Sequence, residues 1–285
     1  FRSAGTDTGT DLTAAPEAPA SPSLAVNALI ATNMVLSRAN AVISNSDVLV
    51  EGDLTVGADN VSSIDANNLA VMSSDGTAIG VTLAFNTIGW KAQNILFAAI
   101  DALLGSSIGD EDPAEVRAEI ARTSLEVGED LTLSAVSEPQ ITADIENSVA
   151  SEGGAAASFV LASNMLSSRA SALLVDLPGL DPHTAGSLTV QASDTAGVAS
   201  RISLSADAAG GASLGGMAAR NDLRSVVDTL VESANLEIDG DVAITGEGSS
   251  TVTALITDQP LEALPEEGAA SDQGADAEAP ADSGA

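Results

Sequence analysis

The feature that most constrains this chain is that it repeats itself, four times, at matching spacings. Each copy carries a short run ending in Asn: Ala31-Thr32-Asn33, Ala84-Phe85-Asn86, Ala162-Ser163-Asn164 and Ala218-Ala219-Arg220-Asn221. An alternating stretch follows. Its inward candidates are Ala39, Ala41 and Ile43 in the first copy, Val116, Ala118 and Ile120 in the second, Ala170, Ala172 and Leu174 in the third, and Val227, Thr229 and Val231 in the fourth. An apolar pair then succeeds a glycine turn: Leu54 and Val56, Leu131 and Leu133, Leu188 and Val190, Val242 and Ile244. Ten residues past the first member of each pair stands Ile64, Ile141, Val198 or Val252. Period-two alternation broken by Gly, Asn and Asp predicts strands. In the fourth copy Leu223, Val226, Val227, Leu230 and Val231 fit a helical period as well, and strand is expected because repeated units fold alike.

From Leu54 to Leu131 is 77 residues, from Leu131 to Leu188 is 57, and from Leu188 to Val242 is 54. The excess in the first interval falls between Asn86 and Val116, so residues 91–112 are expected to be an insertion. Lys91 to Leu104 has the composition of a short helix ending at Gly105, expected to cover the surface. Residues 1–23 and 259–285 are rich in Ala, Pro, Ser, Gly and acids and lack apolar periodicity, so they read as acidic linkers flanking a repeat domain at 24–258. A chain opening on Phe1 between such linkers reads as a piece of a longer array.

Repeated short strands with few hairpin turns of the Asn-Gly or Asp-Gly type predict an all-β fold, a parallel β-solenoid rather than a sandwich. With about 20 residues per coil, each repeat would make two or three coils, and stacking near 4.8 Å would give a rod roughly 50 Å long. Composition agrees. Four Phe, one Trp and no Tyr leave Ala, Val, Leu and Ile to fill a thin interior. Forty-one acidic against nine basic residues give a formal charge of −32, which repels nucleic acid and anionic membranes. The apolar stretch from Ile95 to Leu104 is about half the roughly 20 residues that span a bilayer, so no transmembrane segment is expected.

The run from Asn33 to Ile43 (Asn-Met-Val-Leu-Ser-Arg-Ala-Asn-Ala-Val-Ile), the run from Val50 to Ala58 (Val-Glu-Gly-Asp-Leu-Thr-Val-Gly-Ala) and Ile64-Asp65-Ala66 resemble filamentous-haemagglutinin-like repeats, found in very large secreted bacterial adhesins. The resemblance covers most of residues 24–258. It implies a right-handed parallel β-helix of four degenerate repeats, exported across a Gram-negative envelope to the cell surface. Its implied partners are neighbouring repeats of the same parent chain and a host-surface or extracellular-matrix ligand. It carries no catalytic residues with it, and the insertion departs from the plain pattern.

Candidate chemistry is sparse. His183, in Asp181-Pro182-His183-Thr184, is the only histidine; one histidine cannot make a metal cluster, and a triad would need an activated serine beside it. The turns at Gly52-Asp53, Gly128 with Asp130, and Gly240-Asp241 offer oxygen ligands of the kind Ca²⁺ takes. The simpler reading is that Gly supplies positive φ and Asp caps the turn, leaving only diffuse Ca²⁺ association with the acidic surface. An Asn ladder through Asn33, Asn86, Asn164 and Asn221 is not expected, because repeats of two or three coils would separate them. Arg38 and Arg169 are expected to pair with nearby acids at small gain, and Trp90 to anchor the insertion rather than to stack on a ligand. No catalytic, cofactor-binding or metal residues are therefore assigned. The expectation is a structural or adhesive spacer, not an enzyme. The alternative is a polysaccharide-active β-helix lyase or hydrolase, a class that works in a lateral groove.

Overall fold

A computed structural model of the chain describes residues 23–91, 110–178 and 183–258. The two linkers and most of the inserted segment, including the expected helix, lie outside the described residues. Among those described the fold is all-β, without helix. The first repeat contributes β1 (Leu24–Val35), β2 (Arg38–Ser44), β3 (Asp47–Val50), β4 (Leu54–Asn60) and β5 (Ser63–Ser74). The second contributes β6 (Thr77–Ile88), β7 (Trp90–Lys91), β8 (Asp110–Glu111), β9 (Ala114–Ala121), β10 (Ser124–Val127), β11 (Leu131–Ser137) and β12 (Gln140–Ser151). In the third, β13 (Ala156–Val175), β14 (His183–Ala185) and β15 (Leu188–Ala208) run longer, as do β16 (Ser213–Glu232), β17 (Leu236–Ile238) and β18 (Val242–Thr257) of the fourth. The fourth copy is strand throughout Leu223–Val231, as repetition required.

Like strands of successive repeats pair in parallel, building two broad sheets and one narrow one. The first broad sheet stacks β1 and β2, then β6 and β9, then β13, then β16. The second stacks β4 and β5, then β11 and β12, then β15, then β18. The narrow sheet takes β3, β10, β14 and β17. The columns of this stack are the columns of the sequence alignment: Ala39, Val116, Ala170 and Val227 are successive partners, as are Ile64, Ile141, Val198 and Val252.

One expectation is corrected here. Each repeat passes once through all three sheets, so 54 to 57 residues make one layer, not two or three coils of about 20 residues. The reason is strand length. β13 and β15 have 20 and 21 residues, which at about 3.3 Å per residue span roughly 65–70 Å, whereas four layers at about 4.8 Å rise only ~14 Å from first to last. The body is a flattened slab rather than a rod roughly 50 Å long.

Each layer turns out of the first broad sheet through a residue in the left-handed region: Asn45 (φ 52°), Arg122 (φ 50°), Asp176 (φ 54°) and Ser233 (φ 54°). These corners stack. Asn45 N–H donates to Ala121 O, Arg122 N–H to Val175 O and Asp176 N–H to Glu232 O. Backbone pairing to the next layer thus holds a conformation that costs a non-glycine residue about 1–3 kcal/mol.

Between the broad sheets lies a core of small aliphatic side chains in four clusters. The inward candidates of the two middle repeats, Val116, Ala118, Ile120, Ala170, Ala172 and Leu174, are all fully buried. Their counterparts in the first and last repeats are half-buried, because each has a neighbouring layer on one side only.

Ile141 sits in a middle layer, fully buried, while Thr142 points out of the same strand beside Asp65. Ile141→Asp is expected to unfold the protein or lower Tm severely, since its charge would have no partner. Ile141→Ala should cost about 2–5 kcal/mol, and Thr142→Lys less than about 0.5 kcal/mol. Thermal and urea unfolding of the three variants checks this. Equal losses for Ile141→Asp and Thr142→Lys would mean the faces are misassigned.

Candidate functional site

The polar side chains that the repeats bring together lie inside the slab. Because one repeat is one layer, Asn33, Asn86, Asn164 and Asn221 occupy adjacent layers and form the ladder that the sequence reading did not expect. Asn33 Nδ2 donates to Asn86 Oδ1 (2.8 Å), Asn86 Nδ2 to Asn164 Oδ1 (2.8 Å) and Asn164 Nδ2 to Asn221 Oδ1 (2.9 Å). Asn221 Nδ2 ends the series on Ser200 Oγ and Thr253 O, both at 3.0 Å. Asn86 and Asn164 are fully buried, and each amide spends one donor and one acceptor on the layers beside it.

A second seam crosses the interior closer to the narrow sheet. In the first layer Asn60 Nδ2 donates to Ser37 Oγ (2.9 Å), Ser62 Oγ donates to Asn60 Oδ1 (2.8 Å), and the two serine hydroxyls are 2.6 Å apart. The column of Asn60 continues through Ser137 and Asp194. Asp194 is fully buried, and its Oδ2 accepts from Ser168 Oγ (2.5 Å) and Ser225 Oγ (2.8 Å) of the facing sheet. Asp194 Oδ1 and Ser137 Oγ, both buried, have no hydrogen-bond partner among the described residues. These two seams bound the apolar cluster of Ile64, Ile88, Ile141, Leu166 and Val198. His183 is in the narrow sheet, its backbone paired with Leu236; its side chain lies outside the described residues.

On the outside, the glycine–aspartate turns join layers. Asp130 N–H donates to Asp53 Oδ1 (3.0 Å), and Ser187 N–H to Asp130 Oδ1 (3.1 Å). Asp53 and Asp130 each accept from the backbone of the next layer's turn, a contact between layers where a cap within the turn is expected, and the glycines act differently from the expectation of positive φ. Among the described glycines only Gly89 has positive φ (75°), whereas Gly128 lies so close to the layer before it that a Cβ would stand 2.3 Å from Glu51 O. No group of three or more His, Asp or Glu side chains that could hold a metal ion occurs among the described residues, and no described helix is long and apolar enough to cross a membrane.

At the base of the insertion β7 and β8 form an antiparallel pair. Trp90 is buried, and the Arg224 guanidinium lies 4.6 Å from its ring centroid. Arg224 Nη1 also meets Glu111 Oε2 at 2.9 Å, and Ser167 Oγ donates to Glu111 Oε1 at 2.6 Å. Burial works to lower the Arg224 pKa, but Asp222 and Glu111 outweigh it and raise the value. Asp112 pairs with Lys91 (2.9 Å) and with Arg38. The hydrogen bond from Lys91, with the charge of Arg38, holds its carboxyl below the usual value, so these contacts persist until pH falls through that lowered value. Arg38 and Arg169, the latter 3.6 Å from Asp228, are half-exposed and paired with acids as expected.

Two outer surfaces stand apart from the acidic remainder. Glu115, Arg117, Arg169 and Asp228 line a shallow groove of about 370 Å³ on the first broad sheet. Farther along the same sheet, towards the N-termini of its strands, Val26, Ile30, Met34, Phe159 and Leu214 make an exposed apolar face. Comparison of the chain with protein-family models, with curated proteins and with solved structures finds no match.

Replacing Asn164 interrupts the ladder at its centre. Asn164→Ala should cost about 1–3 kcal/mol for the buried amide groups left unpaired. Asn164→Asp should cost more, because a carboxylate cannot donate to Asn221. Urea unfolding at neutral pH measures both, and an Asp variant as stable as wild type would contradict the ladder.

Proposed function

We propose that the four repeats form a right-handed parallel β-helix that serves as a structural or adhesive spacer in a large secreted or cell-surface bacterial protein of the filamentous-haemagglutinin-like kind. The observation that carries this reading is the Asn ladder, buried at Asn86 and Asn164, which runs unbroken through all four layers. Side chains placed identically in every repeat are spent on joining layer to layer. Right-handedness follows the strong preference of parallel strand crossovers within one sheet. The exposed apolar face around Val26, Ile30 and Phe159 supplies a surface for the adhesive part of the role, and the acidic exterior keeps such a body soluble.

A second reading, a polysaccharide-active β-helix enzyme, is favoured by the groove in which Glu115 and Asp228 stand beside Arg117 and Arg169. Carboxylates with basic neighbours are the groups such chemistry uses. Against it, Arg117 is paired with Glu119 at 2.6 Å and Arg169 with Asp228, and the lining contains no aromatic platform.

Incubating the purified chain with acidic and neutral glycans, with and without Ca²⁺, and assaying for new reducing ends and unsaturated products separates the two. The spacer reading predicts no turnover. Turnover that is lost in Glu115→Gln would replace it with the enzyme reading and place the chemistry in the groove.

A further inference from the structure

We infer that this chain stacks head to tail on further copies of itself, the last layer of one copy pairing in parallel with the first layer of the next. The inference rests on the spacer reading and says how a slab of four layers, only ~14 Å from first to last, gains reach. Both ends of the stack are open. In β18 the inward row Val242, Ile244, Val252 and Ile256 is about half exposed, at 56%, 48%, 53% and 47%. The same positions in the layer beneath, Leu188, Val190, Val198 and Ile202, are 2% exposed or less.

The end strands β1 and β18 lack the usual protection against pairing. Edge strands are ordinarily blunted by Lys, Pro or inward charge. β1 has no charged residue and no proline in 12 residues, and β18 has Glu247 as its single charge in 16, in a chain of net charge −32.

The occupant is indicated by the contact that the chain already makes three times. Carrying the layer-to-layer register one step further sets Val242 on Leu54, Ile244 on Val56 and Val252 on Ile64 of the next copy. On the other broad sheet it sets Met217 on Leu29 and Asn221 on Asn33, extending the Asn column. Residues 1–22 and 259–285 offer no substitute, having Phe1, Leu12, Leu261 and Leu264 as their only large apolar residues. The junction is heterologous, so it adds copies without closing. Each copy lengthens the stack by four layers, about 19 Å. Outward charges resist it, since Glu247 would stand in the column of Asp59, so salt should favour assembly.

Sedimentation velocity and light scattering of the full chain, over a wide range of concentration at low and high NaCl, test this. The expected result is a mass that rises with concentration through successive multiples of one chain and rises further with salt. Val252→Glu puts a carboxylate into the junction at a position exposed in the single copy. It should keep its circular dichroism and Tm while associating at least about tenfold more weakly. Ala31→Glu makes the same test from the first layer, should Val252→Glu fold poorly. A chain that stays monomeric under all conditions, one that stops at a dimer, or folded variants that assemble like wild type would overturn the inference. The spacer reading has its own readout: a monomer without glycan turnover removes the stacking alone, and turnover removes the spacer whatever the mass.

Discussion

Parallel pairing of one repeat on the next, in register, is the interaction from which the rest of this structure follows. A parallel stack sets each residue directly over its counterpart one repeat away, so every inward position must suit its own kind as a neighbour. Aliphatic columns meet this by burying one another, as Ile64, Ile141, Val198 and Val252 do. Asparagine meets it in another way, because its side chain carries a donor and an acceptor that can face opposite directions along the stack. A register slip of one residue would carry every apolar column to the outer face and leave the buried amides unpaired. The polar seams therefore discriminate between registers more sharply than Ala and Val columns, which differ little from one another.

The slab shape is a second consequence. Strands of about 20 residues make wide layers, and a wide layer needs few large side chains when two sheets face each other across one interior. That is why a chain with so few aromatic residues builds a buried core. The cost lies at the ends of the stack, where whole layers are left half covered. Stability and association thus draw on the same layer contact, inside the chain in one case and between copies in the other.

Much of this was legible in the repeats. Inward faces and the four equivalent positions in each column came directly from alternation and spacing, because a period of two admits one assignment of faces once a core side is chosen. Layer length was not legible. A Gly or Asn break looks alike whether it ends a strand within a layer or ends the layer itself, and the wrong choice hid the Asn ladder. The left-handed corners were missed because Asn45, Arg122, Asp176 and Ser233 share a conformation and no chemistry. The Asp194 seam escaped for a related reason: its column changes from Asn60 to Ser137 to Asp194, and the hydroxyls that satisfy the carboxylate come from the facing sheet.

The most direct test of in-register stacking uses the absence of cysteine from the chain. Thr132 and Thr189 are outward-facing partners in adjacent layers, about 4.8 Å apart at Cα, inside the range a disulfide accepts. Gln191 lies two residues further along, about 8 Å from Thr132 and outside that range. Mild oxidation of the double variant Thr132→Cys with Thr189→Cys, followed by mass spectrometry of the peptides, should give an intramolecular disulfide in high yield. The pair Thr132→Cys with Gln191→Cys should remain reduced. Preferential cross-linking of the second pair, or of neither, would contradict the stacking of one repeat as one layer.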